Sequence, residues 1–323
     1  MNTELLNPLL QEGTRRLRDA GAETPGRTAR WLLEDLLDLS RTTFLLEPER
    51  PVSPDAAEAY RTRVARRASG EPLQHILGYA SFFGLRIEVS PDVLIPRPET
   101  EEVAAHALDV IAAVDAPRIL DVGTGSGCIA LALAHERPDA NVTACDVSAE
   151  ALAVARRNSK RLALPVRWIE ADVLADDVPA RVPEALDLLI SNPPYIPDDE
   201  AEALPAVVRD HDPHVALFSG DDPLRFYRAL AHHGAAIVAP AGVLVVETHA
   251  HYAHDVAACL EDAGWHDVTV TTDLGEQPRI VTGHRAGDAG QPPASIENPK
   301  NDKSNSASPR RADACASSRR NDP

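Results

Sequence analysis

Apolar residues recur at helical spacing at the start of the chain. Leu5, Leu6, Leu9, Leu10 and Leu17 share one stripe between residues 4 and 20, and Trp31, Leu32, Leu36 and Leu37 share another between 27 and 39. Ser53-Pro54 reads as an N-cap followed by proline at the first helical position, with Ala57, Tyr60 and Val64 inward and Gly70 as the stop. Residues 1–78 thus predict a small all-α amino-terminal domain. Phe82–Val89 and Val93–Ile95 are extended apolar stretches separated by Ser90-Pro91-Asp92, which predicts a hairpin linker over residues 79–97.

From Pro98 onward the pattern alternates. Val103, Ala107, Val110, Ile111 and Val114 predict a helix, and Arg118–Val122 a short buried strand ending in a glycine-rich turn. A strand ends at Asp146, a helix capped by Ser148 runs to about Leu162, and further strands are expected at residues 166–171, 186–191 and 243–247. Strand alternating with helix predicts an α/β domain over residues 98–285, built on a mostly parallel sheet covered on both faces. After Arg285 the chain turns to Gly, Pro, Ser, Asn, Asp and Arg; residues 286–323 carry too little apolar surface to fold and are expected to be a disordered tail.

The composition fits this division and narrows the class. With 323 residues, 44% hydrophobic and 25% charged, the chain is globular and long enough for about two domains. Four cysteines at 128, 145, 259 and 315 form no CxxC pair, which points to a reducing compartment rather than a disulfide scaffold. The amino terminus has no basic leader pattern. The longest uncharged apolar run, residues 234–246, is too short to span a membrane, so a cytoplasmic protein with no membrane partner is expected. The net charge is −18, and the excess sits in residues 79–285, with 33 acids against 15 bases. Such a surface repels phosphate backbones and disfavours nucleic-acid partners.

Candidate chemistry begins at Gly123-Thr124-Gly125-Ser126-Gly127, which leads from a strand into a helix. Glycines there allow a sharp turn and let a ligand approach main-chain N–H groups at the positive helix end. Asp146 lies 19 residues after Gly127, at the end of the next strand, where its carboxylate can accept from both hydroxyls of a ribose. No Lys-Ser/Thr follows the last glycine, which excludes a Walker loop; the spacing departs from GxGxxG, which disfavours NAD without excluding it. An adenosine bearing a sulfonium side chain, S-adenosyl-L-methionine, fits the loop better. Asp172 is placed to accept from the adenine amino group, with Val173 against the ring.

The strand at 186–191 runs into Asn192-Pro193-Pro194-Tyr195. Two prolines end the ladder, remove two N–H donors and stiffen the backbone at the carboxyl end of a parallel strand, where open α/β sheets bind ligands. The Asn192 side-chain oxygen and the Pro193 carbonyl can each accept one N–H of an amide or exocyclic amine, orienting its nitrogen toward a sulfonium methyl. Tyr195 can pack over a flat substrate group. Asn192 thus faces both substrate and cofactor.

At these residues the chain resembles amino-methyltransferases with an Asn/Asp-Pro-Pro-Tyr/Phe motif, and more closely the protein-(glutamine-N5) methyltransferases of the HemK/PrmC type. The resemblance covers about residues 1–285. It includes Pro72–Gly78, Val93–Thr100, Ile119–Gly127, Asp146 and Asn192–Tyr195, of which Leu94-Ile-Pro-Arg-Pro-Glu-Thr100 is the most discriminating. It implies a Rossmann-type S-adenosylmethionine-dependent fold with a seven-stranded sheet ending in an antiparallel hairpin, near residues 265–271 and 279–284. It also implies methyl transfer to the glutamine of the Gly-Gly-Gln motif in peptide chain release factors, with the helical domain recognising the substrate and the enzyme acting as a monomer. A ribosomal-protein glutamine methyltransferase and a nucleic-acid adenine or guanine amino-methyltransferase are the alternatives. The chain departs from the family pattern at Pro278, before the final strand.

Three other groups of residues receive plainer readings. His249, His251 and His254 lack acidic or cysteine partners at metal spacing and read as solvated or helix-start histidines, so no metal is expected. Cys128 reads as a small apolar filler. Arg61, Arg63, Arg66 and Arg67 crowd one helix, either to dock an acidic partner or to solvate that face.

Overall fold

The computed structural model describes residues 4–287. The expected tail lies outside the described residues from position 288 onward. The amino-terminal part packs helices Leu6–Asp19, Pro25–Leu36 and Pro54–Ala68, followed by a short helix, Leu73–Leu77. Their stripes meet in a core of Leu6, Leu9, Leu17, Leu32, Leu33, Tyr60 and Val64. Ser53 caps the third long helix, its hydroxyl accepting the Ala56 N–H at 3.3 Å. Gly13 sets the approach of two helices: a Cβ there would stand 1.9 Å from the Tyr60 hydroxyl oxygen. Trp31 departs from the expected inward stripe. It is 41% exposed and lies under the Arg27 guanidinium, 5.0 Å from the ring centre.

Three of the four arginines on the helix Pro54–Ala68 are paired with carboxylates of the same domain, and Arg67 donates to the Glu71 backbone carbonyl. Arg61 bridges Glu4 and Glu12 at 2.5 and 2.8 Å, Arg63 pairs with Asp35 at 2.8 Å, and Arg66 pairs with Glu71 at 2.5 Å. Arg61 and Arg63 tie their helix to Leu6–Asp19 and Pro25–Leu36, and Arg66 holds the loop that follows its own helix.

A hairpin does follow, but it forms one step earlier than the sequence pattern suggests. Strands Tyr79–Phe82 and Leu85–Glu88 pair antiparallel. Phe83 and Gly84 both have positive φ, 50° and 71°, so the two-residue loop has the sign required of a type I′ turn, whose twist matches the strands. The aromatic Phe83 had marked this position as strand. Val93–Ile95 forms no strand; Val93 and Ile95 pack with Ala151 and Val154 of the helix Ala149–Leu162.

The sheet of the next domain has seven strands in the spatial order His266–Thr272, Pro278–His284, Val238–Glu247, Leu186–Ser191, Arg118–Val122, Asn141–Asp146, Arg167–Glu170. All neighbours are parallel except the two pairings made by Pro278–His284. Period-two alternation divides each strand between two cores. Ile119, Leu188, Ile190, Val243 and Val245 face helices Pro98–Val110 and Cys128–Glu136. Leu120, Leu189, Leu244 and Val246 face helices Arg225–Ile237 and Ala253–Asp262.

The chain begins this sheet at Arg118–Val122, winds outward through two strands, then returns to Leu186–Ser191 on the other side of its starting strand. The reversal opens a crevice beyond Val122 and Ser191, the ligand position of open α/β folds.

Candidate active site

A cleft of about 230 Å³ occupies that crevice. Gly123 and Gly125 form part of its floor, at φ +70° and +55°, and a Cβ on either would meet no protein atom within 4 Å. Both leave open space beside the ligand position, at the cost of a backbone conformation L-residues avoid.

The rest of the loop has a different placement. Thr124, Ser126 and Gly127, expected to touch the cofactor, are buried and absent from the cleft lining. The Thr124 hydroxyl donates to Asp121 at 2.6 Å. Ser126 lends its carbonyl to Asn158 at 3.0 Å. Gly127, at φ +82°, opens the Cys128–Glu136 helix with Trp168 so near that a Cβ would stand 2.9 Å from the ring. These three residues hold the loop's shape from behind.

Asp121, which pattern reasoning passed over, supports that shape. It is fully buried in the strand leading to the loop, and its Oδ2 also accepts the Ala130 N–H at 3.2 Å. Burial pushes its carboxyl up to about 7. A lone acid among the apolar Ile119, Leu120 and Val122 is the sequence signal that marks it.

Asp146 lies on the cleft wall with both oxygens already engaged. Oδ2 accepts the Gly125 N–H at 2.8 Å and Oδ1 the Ser148 N–H at 2.9 Å. Each oxygen keeps a second lone pair for a ligand. Burial moves this carboxyl above the usual range. Asp172 and Val173 stand at the cleft lip, where the Asp172 side chain turns back to accept the Leu174 N–H at 2.9 Å.

Asn192, Pro193 and Pro194 form the facing wall. The Asn192 Nδ2 donates to the Thr100 hydroxyl oxygen at 3.2 Å, and Thr100 in turn donates to a Glu247 carboxylate oxygen at 2.7 Å. Glu247 ends the neighbouring strand, is 2% exposed, and is pushed up to about 7 by burial against the lowering pull of Thr100 and Arg279. Tyr195 sits outside the cleft lining, its ring 6.0 Å from that of His249.

His249 begins a short 3₁₀ turn and its ring accepts the His251 N–H at 3.3 Å; among the described residues no group of His, Cys, Asp and Glu has metal-binding geometry. Next to Pro278, Arg279 pairs with Asp273 at 3.1 Å and donates to the Thr248 carbonyl at 3.2 Å.

Several wall residues were not legible as a site in the sequence. Asp92 comes from the expected turn of the hairpin linker, Val93 and Leu94 from its expected second arm, and Val215, Arg225 and Phe226 from the excursion after the Pro-Pro turn. Asp92, Asp146 and Asp172 carry three acids to the lining against the single cation Arg225, beside the apolar Val122, Ala171 and Val173. A ligand with an apolar ring, donor hydroxyls and net positive charge fits this set.

The comparisons agree with this architecture. The family model described as the PrmC N-terminal domain matches residues 8–78, and the methyltransferase small domain matches residues 103–209. A release factor glutamine methyltransferase of Deinococcus radiodurans is 41% identical over 87% of this chain and 99% of its own length. One of Streptomyces coelicolor is 40% identical over 87% and 99%. A solved protein-(glutamine-N5) methyltransferase (release factor-specific) from Alicyclobacillus acidocaldarius is 27% identical, covering 62% of this chain and 99% of its own, with a TM-score of 0.38. Sharing two fifths of its residues with such relatives over nearly their whole length, the chain belongs to the release factor glutamine methyltransferase family.

Proposed function

We propose that the protein methylates the side-chain amide nitrogen of the glutamine in the Gly-Gly-Gln motif of peptide chain release factors. The observation that carries this reading is a single cleft in which the Gly123–Gly125 loop and Asp146 face the Asn192–Pro194 turn. S-adenosylmethionine supplies an electrophilic methyl group on a sulfonium. Asp146 holds the ribose hydroxyls, Asp172 and Val173 hold the adenine, and Gly123 and Gly125 let the ligand lie against the backbone.

On the opposite wall, the Asn192 Oδ1 and the Pro193 carbonyl accept the two N–H groups of the substrate amide. An amide nitrogen is a poor nucleophile because its lone pair is delocalised into the carbonyl. Fixed acceptors stabilise the positive charge that grows on the nitrogen as it attacks, and they direct its lone pair at the methyl. As the new C–N bond forms, the bond between the methyl carbon and the sulfonium sulfur would break with its electron pair left on sulfur, giving the neutral thioether S-adenosylhomocysteine, and the nitrogen would lose one proton to solvent. The prolines supply rigidity and place no competing N–H in the turn.

The test is to incubate the full chain with cofactor labelled on its methyl group and, separately, with a purified release factor, a large-subunit ribosomal protein and tRNA. Label confined to the Gly-Gly-Gln glutamine of the release factor is expected. Label in the ribosomal protein or the tRNA instead would overturn the assignment.

A further inference from the structure

An asparagine carboxamide presents oxygen or nitrogen equally well on steric grounds, and catalysis needs the oxygen. Nothing in Asn192 itself makes that choice. The sheet register makes it: Val246 pairs with Ser191 across two parallel strands, so the residues that follow, Glu247 and Asn192, emerge side by side at the crevice. Thr100, in the first turn of the Pro98–Val110 helix, stands between them. A hydroxyl has one proton. Thr100 gives it to Glu247 at 2.7 Å, which leaves its oxygen only an acceptor for Asn192 at 3.2 Å.

We propose that Glu247, acting through Thr100, is the positioning residue that fixes the Asn192 carboxamide with its nitrogen turned inward and its oxygen toward the substrate amide. The proposal rests on the reading of Asn192 as a substrate acceptor. An ionised carboxylate has no proton to donate, so the polarity of the whole chain Glu247–Thr100–Asn192 has one solution. A neutral group in its place allows the reverse chain, in which Thr100 donates to the Asn192 oxygen and the NH₂ faces the cleft.

The neighbourhood is consistent with a carboxylate balanced near neutrality. The Thr100 hydroxyl, Arg279 on the adjacent antiparallel strand and the Asn192 carboxamide itself favour its charge, whereas burial and Glu99 on the Thr100 helix oppose it. Tyr195 and Cys128 also face it, and Tyr227 donates to its backbone carbonyl at 3.1 Å. Protonation of Glu247 at lower pH restores the ambiguity, so turnover rises with pH through the Glu247 transition.

The experiment compares wild type, Glu247→Gln, Thr100→Val, Thr100→Ser, Asn192→Ala and the double variant Asn192→Ala/Glu247→Gln. Each is assayed with a purified release factor at saturating cofactor from pH 5.5 to 9, with melting temperature and cofactor Kd measured alongside. Glu247→Gln and Thr100→Val are expected to lower kcat by roughly 10–100-fold through misorientation, with cofactor Kd within about twofold of wild type. Thr100→Ser, which keeps the hydroxyl, recovers most of the rate lost in Thr100→Val. The pH-dependent rise centred near neutrality flattens in Glu247→Gln, and Glu247→Gln adds no further loss in the Asn192→Ala background. Wild-type kcat and pH profile in Glu247→Gln and Thr100→Val, with Asn192→Ala slow, would overturn the positioning role alone. A wild-type rate in Asn192→Ala would overturn both this role and the reading of Asn192 beneath it.

Discussion

Gly125 and Gly127 stand two residues apart and are needed for different reasons. Both have positive φ, where an L-residue costs about 1–2 kcal/mol. Only Gly127 is also crowded, by Trp168 and Ala155. Gly127→Ala is therefore expected to cost stability, about 1–3 kcal/mol of overpacking beyond the backbone strain, seen as a fall in melting temperature. Gly125→Ala should lower cofactor affinity more than it lowers melting temperature, because its Cβ enters the cleft; equal melting temperatures for the two variants would contradict this division. Asp146→Ala removes an acceptor from two loop N–H groups as well as from the ligand. At about 1.5–3 kcal/mol for a hydrogen bond to a charged group, the cofactor Kd measured by calorimetric titration should rise at least roughly tenfold. At this scale the sequence shows which residue types sit near the ligand. It does not show that Thr124 and Ser126 turn away, because alternate residues of an irregular loop follow no period.

Among elements, the long amino-terminal helices were plain from their stripes and from Ser53-Pro54, since burial of one face is what holds such helices. Trp31 shows the limit of that logic: its large ring satisfies the stripe on paper yet is held outside by Arg27. The hairpin was displaced for a related reason, because positive φ at Phe83 is invisible to a hydrophobic pattern. The close approach of helices Leu6–Asp19 and Pro54–Ala68 is likewise a matter of one missing atom. Gly13→Ala should destabilise the protein by about 1–3 kcal/mol, since the Tyr60 ring cannot fold away from a Cβ at 1.9 Å. Tyr60→Phe should be neutral or stabilising, because the Tyr60 hydroxyl is buried without a hydrogen-bond partner. Thermal melts of the two variants decide both points, and an unchanged melt for Gly13→Ala would mean that the helices are not packed so closely.

Over the whole molecule, the parallel sheet and its crevice follow from the order of strands, helices and the returning strand at 186–191. The contact of Thr100, Asn192 and Glu247 does not, because it is set by register between strands about fifty residues apart. Register leaves no local signature. Stability against pH is a property of this scale too. Asp121 is raised from 3.8 to about 7 and Glu247 from 4.5 to about 7. Between about pH 4 and 7 these two acids hold protons in the folded chain that they release in the unfolded one, so their contribution to stability falls as pH rises, by on the order of a few kcal/mol; His75, His106, His233, His249 and His284, which burial lowers, act in the opposite sense as pH falls. At lower pH the trend reverses, because Glu12, Glu71 and Asp273 sit below the ordinary carboxylate range and lose their partners when protonated. Asp121→Asn, which stays neutral at every pH, should shift the difference in melting temperature between pH 5.5 and pH 8 in favour of pH 8 relative to wild type. The same change in melting temperature from pH 5.5 to 8 in Asp121→Asn and in wild type would contradict the assignment of Asp121.

The Asn192-Pro193 pair has a consequence for stoichiometry. On the proposed reading its two acceptors are matched to a nitrogen that carries two hydrogens. A nitrogen that has already gained a methyl carries one, so one acceptor is left desolvated and unpaired, and the methyl meets a proline-stiffened wall that cannot retreat. The turn in effect counts hydrogens: it admits the primary amide and dismisses the secondary one. Mass spectrometry after exhaustive turnover should find one methyl per glutamine and no dimethylated amide, however long the cofactor is supplied.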